Sequence, residues 1–357
     1  MESILYLMKL DWYWIKQRPQ FIAEGLSKYY DVNVIYKYSF KRSKLQHNKT
    51  TSNVKLHPLV TIPNKLNKYF LFKKISDFIF TQKIKSLIKR KKPKAIYFTT
   101  PLSIDFLPKD YNGKIIYDCM DDNLNLDNDP TIKELENDLI KKADDVLVTS
   151  VNLQNILIKR YGYEIRKKLH LVRNGFSGKI LKVPFKIYSD KKIELAYIGS
   201  VARWFDFDLL KKSLKRFPNL EYTIIGPVDD DIKILDPRIH FLGTVEHERL
   251  YENIKNARAL IMPFKLNKII ESVDPVKLYE YINFNKDIIT IKYPEVERFN
   301  NFVYFYKDEE EFFTQIRRIV NTKSLKFSQT ERRNFLLQNN WDKRAEQIYQ
   351  IIEGKYI

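Results

Sequence analysis

Ser272-Val273-Asp274-Pro275-Val276-Lys277-Leu278-Tyr279-Glu280-Tyr281 reads as a loop that ends in a helix start shaped for an anion. Asp274 suits a cap, Pro275 suits the first helical position with its preset φ, and Lys277 falls in the first turn. Backbone N–H groups at a helix start lack intrahelical partners, and the helix dipole adds partial positive charge there, so a phosphate is favoured. Glu280 lies one turn beyond Lys277 on the same face, within reach of a sugar hydroxyl attached to that phosphate. Lysine for phosphate and carboxylate for ribose describe a nucleotide diphosphate site. The plainer alternative is a capped helix with a solvated Lys/Glu pair. Flanking this helix are short apolar runs of strand type, Ala259–Met262 before it and Ile288–Ile291 after it, which makes a strand–helix–strand unit.

The same alternation runs through the chain. Strands are expected at Ile4–Met8, Val32–Tyr36, Val54–His57, Ala95–Thr99, Ile115–Asp118, Asp145–Thr149 and Leu169–Val172. Helices are expected between them at Pro19–Tyr29, Ile75–Lys91, Thr131–Lys142 and Val151–Tyr161. Asn174-Gly175 is a turn signal, and Phe176–Asp190 lacks a clear period and reads as a linker. The pattern then restarts with strands at Glu194–Ile198, Tyr222–Ile225, Ile239–Leu242 and Ala259–Met262, and a helix from Asp206 to Pro218. Three helices follow at Asp308–Asn321, Gln329–Gln338 and Trp341–Ile352. The fold class implied is α/β, as two doubly wound, Rossmann-like domains. Their expected bounds are 1–175 and 191–340, with a linker at 176–190 and a C-terminal helical segment at 341–357.

Composition narrows the function. At 357 residues with 44% hydrophobic content the chain can bury two cores. A lone Cys119 excludes a disulfide framework and a zinc cluster, and points to a reducing compartment. The run Ile4–Met8 is too short for a signal sequence, and nowhere do enough apolar residues follow one another to span a bilayer. A net charge of +19 calls for an anionic partner: nucleic acid, a membrane surface or a phosphorylated ligand.

That charge is concentrated. Lys65 to Lys94 holds eleven basic residues against one acid, Asp77, with Phe70, Phe72, Ile75, Phe78 and Ile79 among them. A helix of this kind can lie at an anionic bilayer with its lysines among the headgroups, or it can pack on a core with a solvated basic face. No RNA-binding module accompanies the run, so nucleic acid is not the expected partner. The localisation expected is cytoplasmic and peripheral on the inner face of the cell membrane.

Gly199, Gly226 and Gly243 each end a strand of the second half, where backbone can approach a ligand closely. Arg203 follows the first of them and suits a distal phosphate. With Tyr197-Ile198-Gly199-Ser200, Ile224-Ile225-Gly226-Pro227, Phe241-Leu242-Gly243, Arg173-Asn174-Gly175 and the Ser272–Tyr281 stretch, the chain resembles glycosyltransferases of the GT-B fold. It is most similar to bacterial family 4-like enzymes of surface polysaccharide synthesis, and Gln17-Arg18-Pro19-Gln20 with Tyr117-Asp118-Cys119-Met120-Asp121-Asp122 resembles the same group.

The resemblance implies two domains facing across a cleft: a nucleotide-sugar bound by the second, a glycan acceptor by the first, and no required metal or other cofactor. It also implies a C-terminal helix that crosses back to the first domain. Carried over by position, Lys277 would hold the diphosphate with help from Arg203, Glu280 the ribose, and the backbone around Gly243-Thr244-Val245 the base, with Gly199 and Ser272 also at the donor. Retaining members place a second Glu eight residues before the ribose Glu, where this chain has Ser272. The stereochemical course is therefore open, and a neighbouring inverting group keeps the same lysine.

Inversion needs a base for the acceptor hydroxyl, whereas in retention the leaving diphosphate can take the proton. Asp121 and Asp122, just after a first-half strand, are the candidate bases; loop solvation or a cap is the alternative for each. Trp12, Tyr13 and Trp14 could stack on an acceptor sugar or on its lipid carrier, or one or two of them could pack under the loop. Arg18 could point at the acceptor or form an intradomain salt bridge. His57, His170, His240 and His247 lack metal-ligand spacing, and plain strand or helix-surface roles are expected for them. Two other readings are kept: a nucleotide-sugar epimerase on the same fold, and a non-catalytic glycan- or membrane-binding relative.

Overall fold

A computed structural model describes the chain apart from residues 14–15, 40–52, 62–69, 127–129, 183–191, 231, 233–235, 323 and 357. It divides into two compact units, Met1–Gly175 with Trp341–Ile357, and Phe176–Asn340.

In the first unit seven parallel strands stand in the order β3-β2-β1-β4-β5-β6-β7. They are β1 (Ser3–Met8), β2 (Asp31–Ser39), β3 (Lys55–Thr61), β4 (Ala95–Phe98), β5 (Lys114–Cys119), β6 (Asp145–Val148) and β7 (Leu169–Leu171). The inner strands are buried on both faces, which is why Ser3–Met8 and Ala95–Phe98 read as unbroken apolar runs. The order reverses between β1 and β4, and in such sheets ligands sit beyond the carboxyl ends of the strands at that point.

The C-terminal helix Trp341–Ile352 packs on Arg18–Leu26 of the same unit. Phe21 stacks on Trp341 with centroids 5.1 Å apart, Tyr29 stacks on Tyr349 at 4.3 Å, and Lys114 Nζ donates to the carbonyl of Ile351 at 2.9 Å. Gly25 permits this approach, since a Cβ there would overlap the Cβ of Ala345. Helix propensity alone would make Gly25→Leu stabilising. We expect the opposite sign, a loss of about 1–3 kcal/mol from overpacking, read as a lower urea midpoint. An unchanged or raised midpoint would show that the two helices do not pack this closely.

The second unit holds six parallel strands in the order β10-β9-β8-β11-β12-β13. These are β8 (Ile193–Ile198), β9 (Leu220–Ile225), β10 (Ile239–Gly243), β11 (Ala259–Met262), β12 (Asp287–Ile291) and β13 (Tyr304–Tyr306). The reversal falls between β8 and β11. Sequence reading missed β13, because three residues are too few to show a period. It also placed Phe176 in a linker. Phe176 is buried in the core of this unit and bridges to Asn340, and Asn283 binds both sides of the nearby chain, accepting from Leu181 N at 3.0 Å and donating to Lys179 O at 3.1 Å. The second unit thus begins at Phe176, and its first residues are held by polar contacts that carry no periodic signal.

Among the described residues no helix is long and apolar enough to cross a membrane. In the basic helix Phe70–Lys91, Phe80, Ile84 and Leu87 are buried against the first sheet. Ile75, Phe78 and Ile79 are left 45%, 63% and 54% exposed. Of the two apolar stripes on this helix, one is core and the other is exposed.

Candidate active site

The carboxyl edge of the second sheet is stitched by its glycines. Gly199 N donates to Ile225 O, and Gly226 N to Gly243 O, each at 2.8 Å. Their φ angles are 143°, 139° and 66° for Gly199, Gly226 and Gly243, all in the region that favours glycine. A Cβ on Gly226 would overlap the Gly199 carbonyl, and a Cβ on Gly199 would overlap the Cε of Lys277. The glycine after β8 is therefore what lets the lysine lie across that strand end, at the reversal of strand order.

The helix that carries the lysine, Val276–Asn283, is pinned to the same edge by Tyr281. Its hydroxyl accepts from Ile198 N at 2.8 Å and lies 3.2 Å from Ile198 O. The helix starts differently from expectation. Pro275 occupies the cap position, where its side chain cannot cap. Asp274 is buried, paired with Arg298 at 2.8 Å and accepting from the Tyr279 hydroxyl at 3.1 Å. Asp274 thus braces the loop, a role that a partner 24 residues away in sequence does not announce.

Lys277 is half-buried, with its ammonium 6.0 Å from the centre of the Phe264 ring. Burial pushes its pKa down, and the Glu280 carboxylate opposes that shift. A cation that has lost water without gaining a full counter-charge is suited to an incoming anion. Glu280, also half-buried, has Oε1 3.5 Å from His247 Nε2. This contact raises the His247 pKa, with desolvation opposing. His247 is the site residue that sequence reading missed, because 33 positions separate it from Glu280 and no local pattern links them.

The other expected donor residues divide. Arg203 and Thr244 are exposed, Val245 is half-buried, and Gly243 ends β10 with open space where a Cβ would be. Ser272 does not present itself to a ligand. It is 1% exposed at the end of the short helix Lys268–Ser272, and its hydroxyl donates to Ile269 O at 2.7 Å.

In the first unit, Arg18 is corrected from acceptor contact to structural ion pair. It is buried, its Nε and Nη2 reach the Asp118 carboxylate at 2.9–3.1 Å, and its Nη1 donates to Arg173 O at 3.1 Å. Tyr97 donates to the same carboxylate at 2.7 Å. The carboxylate holds the Arg18 pKa above its usual value against the cost of burial.

Asp121 and Asp122, adjacent in sequence, part company. Asp122 is buried, paired with Arg160 at 2.9 Å and bonded to the Asn125 amide at 2.5 Å. Arg160 reaches on to Glu136, which also accepts from the hydroxyls of Tyr117 and Tyr161 at 2.7 Å each. With its oxygens so committed, Asp122 is withdrawn as a base and is structural. Asp121 is half-buried, and no side-chain partner is found for it among the described residues. Desolvation raises its pKa, Arg18 opposes, and Asp118 and Asp122 add to the rise. Trp12 is buried and Tyr13 is 39% exposed, while Trp14 lies outside the described residues. Among the described residues no three His, Cys, Asp or Glu side chains group as a metal site.

No family model matches the chain. It is 22% identical over 79% of its length to the Bacillus subtilis "Putative teichuronic acid biosynthesis glycosyltransferase TuaH", of which it covers 79%. Its structure is similar to sucrose-phosphate synthase from Thermosynechococcus elongatus (TM-score 0.74, 15% identity, 99% of both chains). It is also similar to Anabaena HepE solved with UDP-glucose (TM-score 0.71, 12% identity, 99% of this chain and 100% of that one). The resemblance read from the sequence is thus borne out: the chain has the GT-B fold along its length, and its likenesses support an enzyme of the glycosyltransferase class.

Proposed function

We propose that this protein transfers a sugar from a nucleotide diphosphate donor to a lipid-linked glycan acceptor in the synthesis of a bacterial surface polysaccharide. The observation that carries the reading is the cluster of Gly199, Lys277 and Glu280 at the strand-order reversal of the second sheet. Lys277 stabilises the diphosphate, where negative charge grows as the glycosidic bond to the donor breaks. Glu280 accepts from ribose hydroxyls, and the exposed Arg203 assists at the diphosphate. Asp121 removes the acceptor proton in the inverting course; in the retaining course the leaving phosphate takes it. No metal is needed in either. The test is calorimetric titration with UDP-, GDP- and dTDP-sugars in EDTA, followed by sugar transfer to a lipid-linked glycan. Failure of all three donors to bind would overturn the reading.

The same reading puts the protein on the inner membrane surface. Exposed Ile75, Phe78 and Ile79, with Lys74, Lys85 and Lys89 exposed on the same helix, support it. Phe70 and Phe72 belong to the same run, and their side chains lie outside the described residues. Lysines near an anionic surface contribute about 1 kcal/mol each, and salt screens that part. Lys85→Gln with Lys89→Gln should therefore weaken sedimentation with phosphatidylserine-containing vesicles roughly 30-fold. Phe78→Ser with Ile79→Ser should weaken it at every salt concentration. Equal sedimentation of all forms would leave a solvated face and favour a soluble acceptor.

A further inference from the structure

His247 stands on the turn His247–Arg249 that follows β10, and its ring faces Glu280 across to the helix Val276–Asn283. Its side chain is 59% exposed, so it is not held there by packing, and the carboxylate is its polar attraction. Glu280 has two oxygens, and the imidazole Nε2 lies 3.5 Å from Oε1. We infer that His247 is a positioning residue for the donor: as an imidazolium it holds one oxygen of Glu280 and leaves the other turned to the nucleotide ribose, which makes donor affinity depend on pH. This rests on the reading of Glu280 as the ribose contact.

The carboxylates around His247 favour its charged form, and one cation shares its partner. Glu280 faces His247 from the helix, Glu248 adds negative charge from its own turn, and Lys277 faces Glu280 from the same helix. Glu246 and Arg249, which flank His247, pair with each other at 3.4 Å. The imidazolium also adds positive charge at the edge that receives the diphosphate. The histidine pKa in the fold is raised above its ordinary 6.5. The charged form is therefore present below that raised value and is lost as pH climbs through it, and affinity should fall over that interval.

Two measurements test this. In the free protein, the His247 titration followed by NMR, assigned by comparison with His247→Gln, should move to lower pKa in Glu280→Gln. Calorimetry with UDP, GDP and dTDP from about pH 6 to about pH 8.5 should show wild-type affinity declining with pH. His247→Ala should bind about fivefold more weakly at the acid end, as befits a pair whose histidine is mostly exposed, and show a flat profile. His247→Gln, which keeps a donor without the charge, should recover part of the affinity and stay flat. If a nucleotide binds and Lys277→Ala weakens it, while His247→Ala leaves both affinity and pH profile unchanged, this inference alone falls. If none of the three nucleotides binds, the donor-site reading fails and the inference goes with it, even where the His247 titration still answers to Glu280→Gln.

Discussion

Asp121→Asn should cut transfer by about 10² to 10⁴ in kcat while leaving nucleotide affinity near wild type, as loss of a general base does. The structure separates this result from damage to the fold. Burial raises the Asp121 pKa, so the charged carboxylate is a cost to the folded state at neutral pH. The sign follows: the folded state binds the proton more tightly than the unfolded one, and stability falls as pH rises from the ordinary 3.8 through the raised value. An amide in its place removes that cost, so the melting temperature should hold or rise. Asp122→Asn should behave in reverse, since it takes a partner from Arg160 and costs roughly 1–3 kcal/mol of stability. The wild-type rate should climb with pH through the raised Asp121 pKa, and the Asn form should lose that limb. If Asp121→Asn keeps more than half the wild-type rate, the proton goes to the leaving phosphate instead, and the retaining course gains support.

Lys277→Ala should weaken binding of the cognate nucleotide diphosphate roughly 10- to 100-fold, the loss of one charge-assisted contact of about 1.5–3 kcal/mol. Glu280→Ala should do so to a similar extent. Neither should unfold the protein. Lys277 carries a depressed pKa, so its charged form is disfavoured in the fold without a ligand, and its removal relieves that burden. Gly199→Ala should mimic Lys277→Ala although it touches no charge, because the added methyl overlaps the lysine stem and pushes the ammonium off the strand end. Unchanged affinity in Lys277→Ala and Glu280→Ala together would remove the site from this edge of the sheet.

Much of this was legible in the chain. Strand and helix positions followed from apolar periodicity, since β1, β4 and β11 are buried along their length and even the surface helices keep one apolar stripe. The Pro275–Lys277–Glu280 spacing placed a lysine and a carboxylate on one helix face, as local geometry requires. Family resemblance supplied the GT-B fold, which the structural likenesses bear out.

What the sequence determined by itself is therefore the order of elements, the fold class, the basic helix and the helix face that bears Lys277 and Glu280, all consequences of residues close together along the chain. Tertiary structure alone decided which charges are free to act. Arg18 is spent on Asp118, a hundred residues away, and Asp274 is spent on Arg298. Asp122 is spent on Arg160 while Asp121 beside it has no hydrogen-bond or ion-pair partner for its side chain among the described residues, and His247 is brought to Glu280. An ionisable side chain carries the same letter whether it is paired or waiting for a ligand. The difference lies in desolvation and in partners supplied by distant segments, which exist only once the strands have assembled.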